Sequence, residues 1–230
     1  MKNNTIRHFF VFVLSFFLLL TKGSYILHLK NWDAVVEPDG LIVYGVQPGQ
    51  LSVVMGKARE GEFCHPVSVI DGIENQLTID YGKIKAYVYV KANRLHVRFT
   101  AENPGCMVWP LSGDDINIKA IVYPDSEGMY IPIDDAFWLE RFACGHFVNL
   151  SMPLYGYHLK NGQTIGYILH TDLRNELKFY INNGQLKTSL EHAFGDLDDV
   201  CEYEISMTFS GNNILGPAYN YKKYLIKWMS

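Results

Sequence analysis

Strict alternation of apolar and polar residues is the feature that most limits what this chain can become. From Arg94 to Thr100, Leu95, Val97 and Phe99 fall on one side and Arg94, His96 and Arg98 on the other. From Cys201 to Phe209, the apolar series Cys201, Tyr203, Ile205, Met207 and Phe209 is interleaved with Glu202, Glu204, Ser206 and Thr208. Successive side chains of a strand point to opposite faces, so a period of two predicts antiparallel strands with one packed face and one wet face. From Tyr25 to Tyr123 no stretch repeats apolar residues at helical spacing over a helix's length, and the same pattern continues to Phe209. The chain is predicted to be all-β, a large antiparallel β-sandwich spanning 24–213.

Turn chemistry divides that pattern into strands. Lys85 to Val90 reads as a hairpin with Arg94 to Thr100 across Ala92-Asn93, and Leu177 to Ile181 pairs with Gln185 to Glu191 through Asn182-Asn183-Gly184. Further strands are predicted around Leu41 to Val46, Leu51 to Met55, Leu77 to Tyr81 and Ile116 to Tyr123. His146 to Leu154 and Gln163 to His170 are read as two strands joined across Lys160-Asn161-Gly162. Between Pro124 and Phe142, Pro132 rules out a regular helix through Met129 to Ile133, which reads as a short edge strand. Asp134, Asp135 and Trp138 then stand where that strand is expected to open into a loop.

The two ends depart from this pattern. Lys2 and Arg7 precede an apolar run from Phe9 to Leu20, broken by Ser15, and Thr21-Lys22-Gly23 closes it. Residues 1–23 thus read as a Sec-type signal peptide, the apolar run being too short for the ~20 residues that span a bilayer, with an uncleaved anchor as the alternative, and predict a secreted or periplasmic protein. At the other end, residues 214–230 read as a helix with Gly216 as N-cap and Pro217 first in the helix. Its apolar face carries Ala218, Tyr221, Leu225 and Trp228, its polar face Lys222, Lys223 and Lys227, and it is read as a connection toward a further domain.

Removing the leader takes Lys2, Arg7 and Lys22 from 20 basic residues and nothing from 24 acidic ones, leaving 17 against 24. That balance excludes a phosphate-binding role on nucleic acid and an electrostatic role at membranes. The four cysteines, Cys64, Cys106, Cys144 and Cys201, include no Cys-x-x-Cys pair and allow three disulfide pairings. The alternation around Cys201 favours a buried thiol over a disulfide.

No catalytic constellation is legible. Glycosidic hydrolysis needs two carboxyls ~5 to 10 Å apart. The adjacent pairs Asp114-Asp115, Asp134-Asp135 and Asp198-Asp199 read instead as turn residues pointing to opposite sides. There is no His-Glu-x-x-His, no Gly-x-Ser-x-Gly and no glycine-rich phosphate loop, so no metal, cofactor or nucleophile is assigned. His146, His158 and His170 fall on successive predicted strands without a ligand spacing. The candidate carbohydrate-binding residues are the aromatic and acidic groups expected at strand ends and loops: Trp109, Asp134, Asp135, Trp138, Tyr157 and His158.

Four segments carry a family likeness: Tyr123-Pro-Asp-Ser-Glu-Gly-Met-Tyr-Ile-Pro-Ile-Asp-Asp135, Met152-Pro-Leu-Tyr-Gly-Tyr157, Gly162-Gln-Thr-Ile-Gly-Tyr-Ile-Leu169 and Ala218-Tyr-Asn-Tyr-Lys-Lys-Tyr-Leu-Ile226. In this order they resemble the N-terminal β-supersandwich, galactose mutarotase-like, of large bacterial glycoside hydrolases of the endo-α-N-acetylgalactosaminidase-like and related families. The resemblance implies a helix leading into a (β/α)8 barrel that holds the catalytic acids, and this sequence ends where that barrel would begin. No catalytic residue is carried over. What it implies is an accessory sandwich whose partner is a catalytic barrel domain or separate subunit, inactive as a hydrolase alone. An autonomous carbohydrate-binding protein and a self-contained enzyme resembling sugar epimerases are the alternatives.

Overall fold

The computed structural model describes residues 25–30, 32–36, 42–44, 54–55, 62–63, 68–72, 75–112, 117–125, 128–148, 150–171, 173–195 and 201–229. The leader, Cys64, Asp114-Asp115 and Asp198-Asp199 lie outside the described residues. The first strands are β1 (Tyr25–His28), β2 (Asp33–Val36), β3 (Ile42–Tyr44), β4 (Val54–Met55), β5 (Glu62–Phe63) and β6 (Ser68–Asp71). There follow β7 (Gln76–Asp80), β8 (Ile84–Lys91), β9 (Arg94–Ala101), β10 (Gly105–Leu111), β11 (Ile118–Tyr123) and β12 (Met129–Pro132). After the short helix α1 (Ala136–Arg141) come β13 (His146–Val148), β14 (Leu154–Leu159), β15 (Thr164–Leu169), β16 (Asn175–Asn182), β17 (Gln185–Phe194) and β18 (Cys201–Ser210). The long helix α2 (Gly216–Met229) ends the described chain.

The strands form two large antiparallel sheets and a small one. The larger has the order β12-β11-β14-β15-β18-β9-β8-β7-β6, the second the order β13-β16-β17-β10-β4-β5, and β1-β2-β3 stand apart. Aromatic contacts join the facing surfaces of the two large sheets. Phe99 of β9 tilts against Trp109 of β10, with ring centroids 5.5 Å apart, and Tyr123 of β11 meets Phe179 of β16 edge-on at 5.6 Å. Several polar tips find partners within this layer: the Tyr203 hydroxyl donates to the Trp109 carbonyl at 3.2 Å, and Tyr157 hydrogen-bonds Thr188 at 2.5 Å, whereas the buried Trp109 Nε1 has no hydrogen-bond partner. The alternating apolar positions Leu95, Val97, Phe99, Tyr203, Ile205 and Met207 are all fully buried in this core.

The predicted hairpins form at their turns. Ala92 and Asn93 both adopt positive φ, 51° and 59°, as do Asn183 and Gly184 at 52° and 70°, the geometry a two-residue hairpin loop requires. Met129–Pro132 is the edge strand expected, paired on one side only with β11.

The structure differs from the sequence reading in several places. The strand joined across Asn161-Gly162 is Leu154–Leu159, while His146–Val148 pairs with β16 in the other sheet. Ser151 to Pro153 bend between them, so the chain changes sheet there instead of continuing. The expected loop after Pro132 is the six-residue helix α1. Its N-cap is Asp135, whose carboxylate accepts from the Phe137 and Trp138 amides, so one of the two acids is engaged in ending a strand and starting a helix. The polar face of β18 is wet only at one end: the Glu202 side chain is partly exposed, whereas Ser206 and Thr208 are buried, hydrogen-bonded to His170 and to Asn220 of the long helix that follows. Finally, Cys201 is half-buried and Cys144 exposed, and both are free thiols.

Helix α2 docks on the outer face of β14, β15 and β18 through small residues. Gly166 faces Pro217, whose Cα would lie 3.0 Å from a Cβ built there, and Gly156 faces the Pro217 ring at 2.8 Å. Asn220 donates to Thr208 and Ser210, each at 2.8 Å, and Pro217 is buried. The buried side of the helix runs through Pro217, Asn220, Tyr221 and Tyr224, not through Ala218 and Leu225 as the sequence suggests; these two are exposed. The docking surface is polar and glycine-rich, so the helix turns its polar and aromatic side inward. Ile226 on its other side remains 59% exposed.

Candidate functional site

Where α2 crosses the end of the larger sheet, a cavity of about 580 Å³ opens between helix and strands. Four neighbouring strand segments supply its floor. Register places Tyr89 of β8 opposite His96 of β9, and His96 opposite Ser206 of β18. His170 follows β15 and donates its backbone N–H to the Glu204 carbonyl. All four side chains belong to the outward set of the alternating pattern. Lys223, Tyr224 and Lys227 of α2, with Lys91 and Arg94 from the β8–β9 hairpin, complete the wall.

Glu204 organises the floor. Its Oε1 accepts from the Tyr89 hydroxyl at 2.8 Å and lies 2.7 Å from His96 Nδ1. Burial alone would raise the Glu204 pKa, but hydrogen bonds from His96 and Tyr89, helped by the two imidazoles, hold it down at about 2. The carboxylate is therefore ionised at neutral pH. His170 is pushed down to about 4, first by burial and then by His96, Arg94 and Lys91, with Glu204 acting in the opposite sense. Burial likewise raises the Tyr89 hydroxyl, keeping it a donor. Tyr89, His96 and His170 form a continuous ring stack, with centroids 5.1 and 5.2 Å apart, and Tyr224 meets His170 edge-on at 4.9 Å.

Arg94 is the other polar anchor. Its Nη2 donates to the Asn220 carbonyl at 2.9 Å and its guanidinium lies 5.9 Å from the Tyr224 ring centre. Its Nη1 is buried with no hydrogen-bond acceptor. Burial is what lowers its pKa, and no carboxylate contributes.

His96, His170 and Glu204 also bring one potential metal-ligand atom each within 4.8 Å of one another. Sequence spacing gave no sign of this trio, since its members come from three distant segments. The donor set fits a dication poorly. One Glu204 oxygen is already engaged twice, and the cavity wall adds Lys91, Arg94, Lys223 and Lys227 against that single carboxylate.

The residues singled out from sequence lie elsewhere and are not brought together into one cavity. Trp109 is fully buried in mid-strand, and Tyr157 is 2% exposed, so neither presents a ring face to a ligand. His158 is buried under Tyr130, whose hydroxyl lies 2.8 Å from His158 Nδ1. Asp134 is exposed in the turn after β12. Trp138 is half-buried and stacks on Phe142, which in turn stacks on Phe179 at 4.5 Å. What the sequence reading missed was written in the polar half of its own alternation: His96 between Arg94 and Arg98, and Glu204 between Glu202 and Ser206. Those positions look solvent-facing until α2 is laid across them.

No protein-family model matches this sequence, and no curated protein matches it. Solved structures do. Ligand-free α-N-acetylgalactosaminidase NagBb from Bifidobacterium bifidum superposes with a TM-score of 0.66 at 9% identity, over 88% of this chain and 38% of that one. Its GalNAc complex gives 0.65 at 8% identity. A variant of the GH36 α-galactosidase AgaA from Geobacillus stearothermophilus gives 0.50 at 10% identity, over 86% of this chain and 42% of that one. The chain spans about two fifths of the length of these glycosidases, and over that span it has their fold: an all-β sandwich of the kind found within glycoside hydrolases.

Proposed function

We propose that this chain is an exported accessory sandwich of a glycoside-hydrolase system, without hydrolytic activity of its own, acting beside a catalytic barrel on the same chain or a separate subunit. The observation that carries the reading is the superposition of 88% of this chain on 38% of a glycosidase. The apolar leader supports export. The cavity chemistry supports the reading, because among the described residues lining it Glu204 is the one carboxylate and the two-carboxyl mechanism needs a second. Purified residues 24–230, offered aryl α-N-acetylgalactosaminides and α-galactosides, are expected to give no turnover above background. Reproducible turnover abolished by Glu204→Gln or Asp134→Asn would overturn the proposal.

A second reading, autonomous carbohydrate binding, is favoured by the cavity itself. It combines stacked aromatic rings, an ionised acceptor and several donors in a volume within the usual range of ligand sites. The two readings are compatible, since an accessory domain can hold glycan near a catalytic partner.

A further inference from the structure

The geometry points to an acidic sugar as the occupant of the cavity beneath α2, with its carboxylate or sulfate-ester group held at Arg94 and the lysines of the helix. This inference rests on the glycan-contact reading above and adds the class of glycan.

Three observations carry it. First, charge is one-sided among the described residues: Lys91, Arg94, Lys223 and Lys227 line the cavity, and the one carboxylate among those lining residues is Glu204. Glu204 already accepts from Tyr89 and His96, while Arg98, one position along β9 on the same face, is paired with Glu202 at 3.1 Å. Second, a guanidinium stays protonated at any physiological pH. Arg94 belongs to the cavity wall, and no carboxylate shifts its pKa. Its charge is therefore open to an anion that enters the cavity. Third, the floor offers what the rest of a sugar ring needs. The stacked Tyr89, His96 and His170 rings line the floor with their edges, and the ionised Glu204 is an acceptor for hydroxyls. A small inorganic anion would use the first two features and leave the third idle.

The test is calorimetric titration of residues 24–230 with methyl glucuronide, methyl α-N-acetylneuraminide, galactose 6-sulfate, neutral methyl galactoside and sodium sulfate. At least one acidic sugar is expected to bind about tenfold tighter than the neutral one, as a hydrogen bond to a charged group implies. Which acid binds tightest, carboxylated or sulfated, identifies the anionic group. The preference should collapse in Lys223→Gln/Lys227→Gln, whose changes are at exposed residues of the cavity rim, and in Arg94→Gln, with far-ultraviolet circular dichroism confirming that each variant folds. Equal binding of neutral and acidic sugars would overturn the acidic specificity and leave the glycan reading standing. Sodium sulfate binding as tightly as the acidic sugar would confine the cavity to simple anions and remove the sugar. No binding by any of the five would overturn both readings of the cavity.

Discussion

The two faces of the nine-stranded sheet are built from the same strands and solved differently. The inner face is closed by size and shape: Phe99, Tyr203 and their neighbours meet the second sheet through ring contacts, and the Tyr203 hydroxyl there is tied to the Trp109 carbonyl. The outer face carries His96, Glu204, Ser206 and Thr208, and becomes buried only because α2 brings Asn220, Tyr224 and its lysines to it. The difference teaches that burial and apolarity are separable here. The inner layer holds the fold together, while the outer layer is a lightly held polar seam in which charge is kept unbalanced.

The largest expected effect tests the inner layer. Phe99→Ala should cost about 3 to 5 kcal/mol, read as a lowered denaturation midpoint with the slope unchanged. A loss well below that would mean the aromatic layer relaxes around the gap and is not the rigid member of the comparison. Next in size is Gly166→Leu, which places a side chain where Pro217 now lies. Overpacking of this kind costs about 1 to 3 kcal/mol, and the loss should fall on α2 alone. Amide exchange should quicken from Pro217 to Tyr224 while β18 keeps its protection. Parallel loss in both would make the seam part of the core.

The smallest effect is a pH dependence confined to the outer face. His170 titrates at about 4 in the fold instead of 6.5, so between those values the unfolded chain takes up a proton first and stability falls as pH drops. Glu204 is depressed from 4.5 to about 2, so its contribution is present above 4.5 and is lost as pH falls toward 2. Because the Glu204 side chain is 25% exposed, its step should amount to only about 1 kcal/mol after solvent screening. Denaturation midpoints followed from pH 7 to 2 should lose the upper step in His170→Gln and the lower step in Glu204→Gln. Two steps that survive both substitutions would place the acid sensitivity elsewhere.

The strands and the hairpin turns were legible because each is local: a period of two over seven to ten residues, punctuated by Asn-Gly or Ala-Asn, needs no information from distant residues. The edge strand at Met129–Pro132 could be read for the same reason, since Pro132 excludes the helix. The site could not be read that way. Asp135 looks like a ligand group until its helix is known, and only then is it a cap. Trp109 and Tyr157 look like loop aromatics because Pro110 and Gly156 beside them suggest breaks, yet both lie inside strands. The His96–Glu204 contact joins residues 108 apart, and the side that faces a helix cannot be told from the side that faces water by alternation alone.

That separation also sets an order of events as the chain folds. The β8–β9 hairpin is local and can close early, but β9 must wait until β18 is available before its second edge is satisfied. During that interval the open edge is a template for any passing strand. Arg94 and Arg98 stand on it at alternate positions, and charges so placed discourage intermolecular pairing. Arg94, which later helps leave the cavity electropositive, would thus serve first, together with Arg98, as a gatekeeper against aggregation, and replacing both with neutral side chains would trade a binding preference for a lower yield of soluble protein.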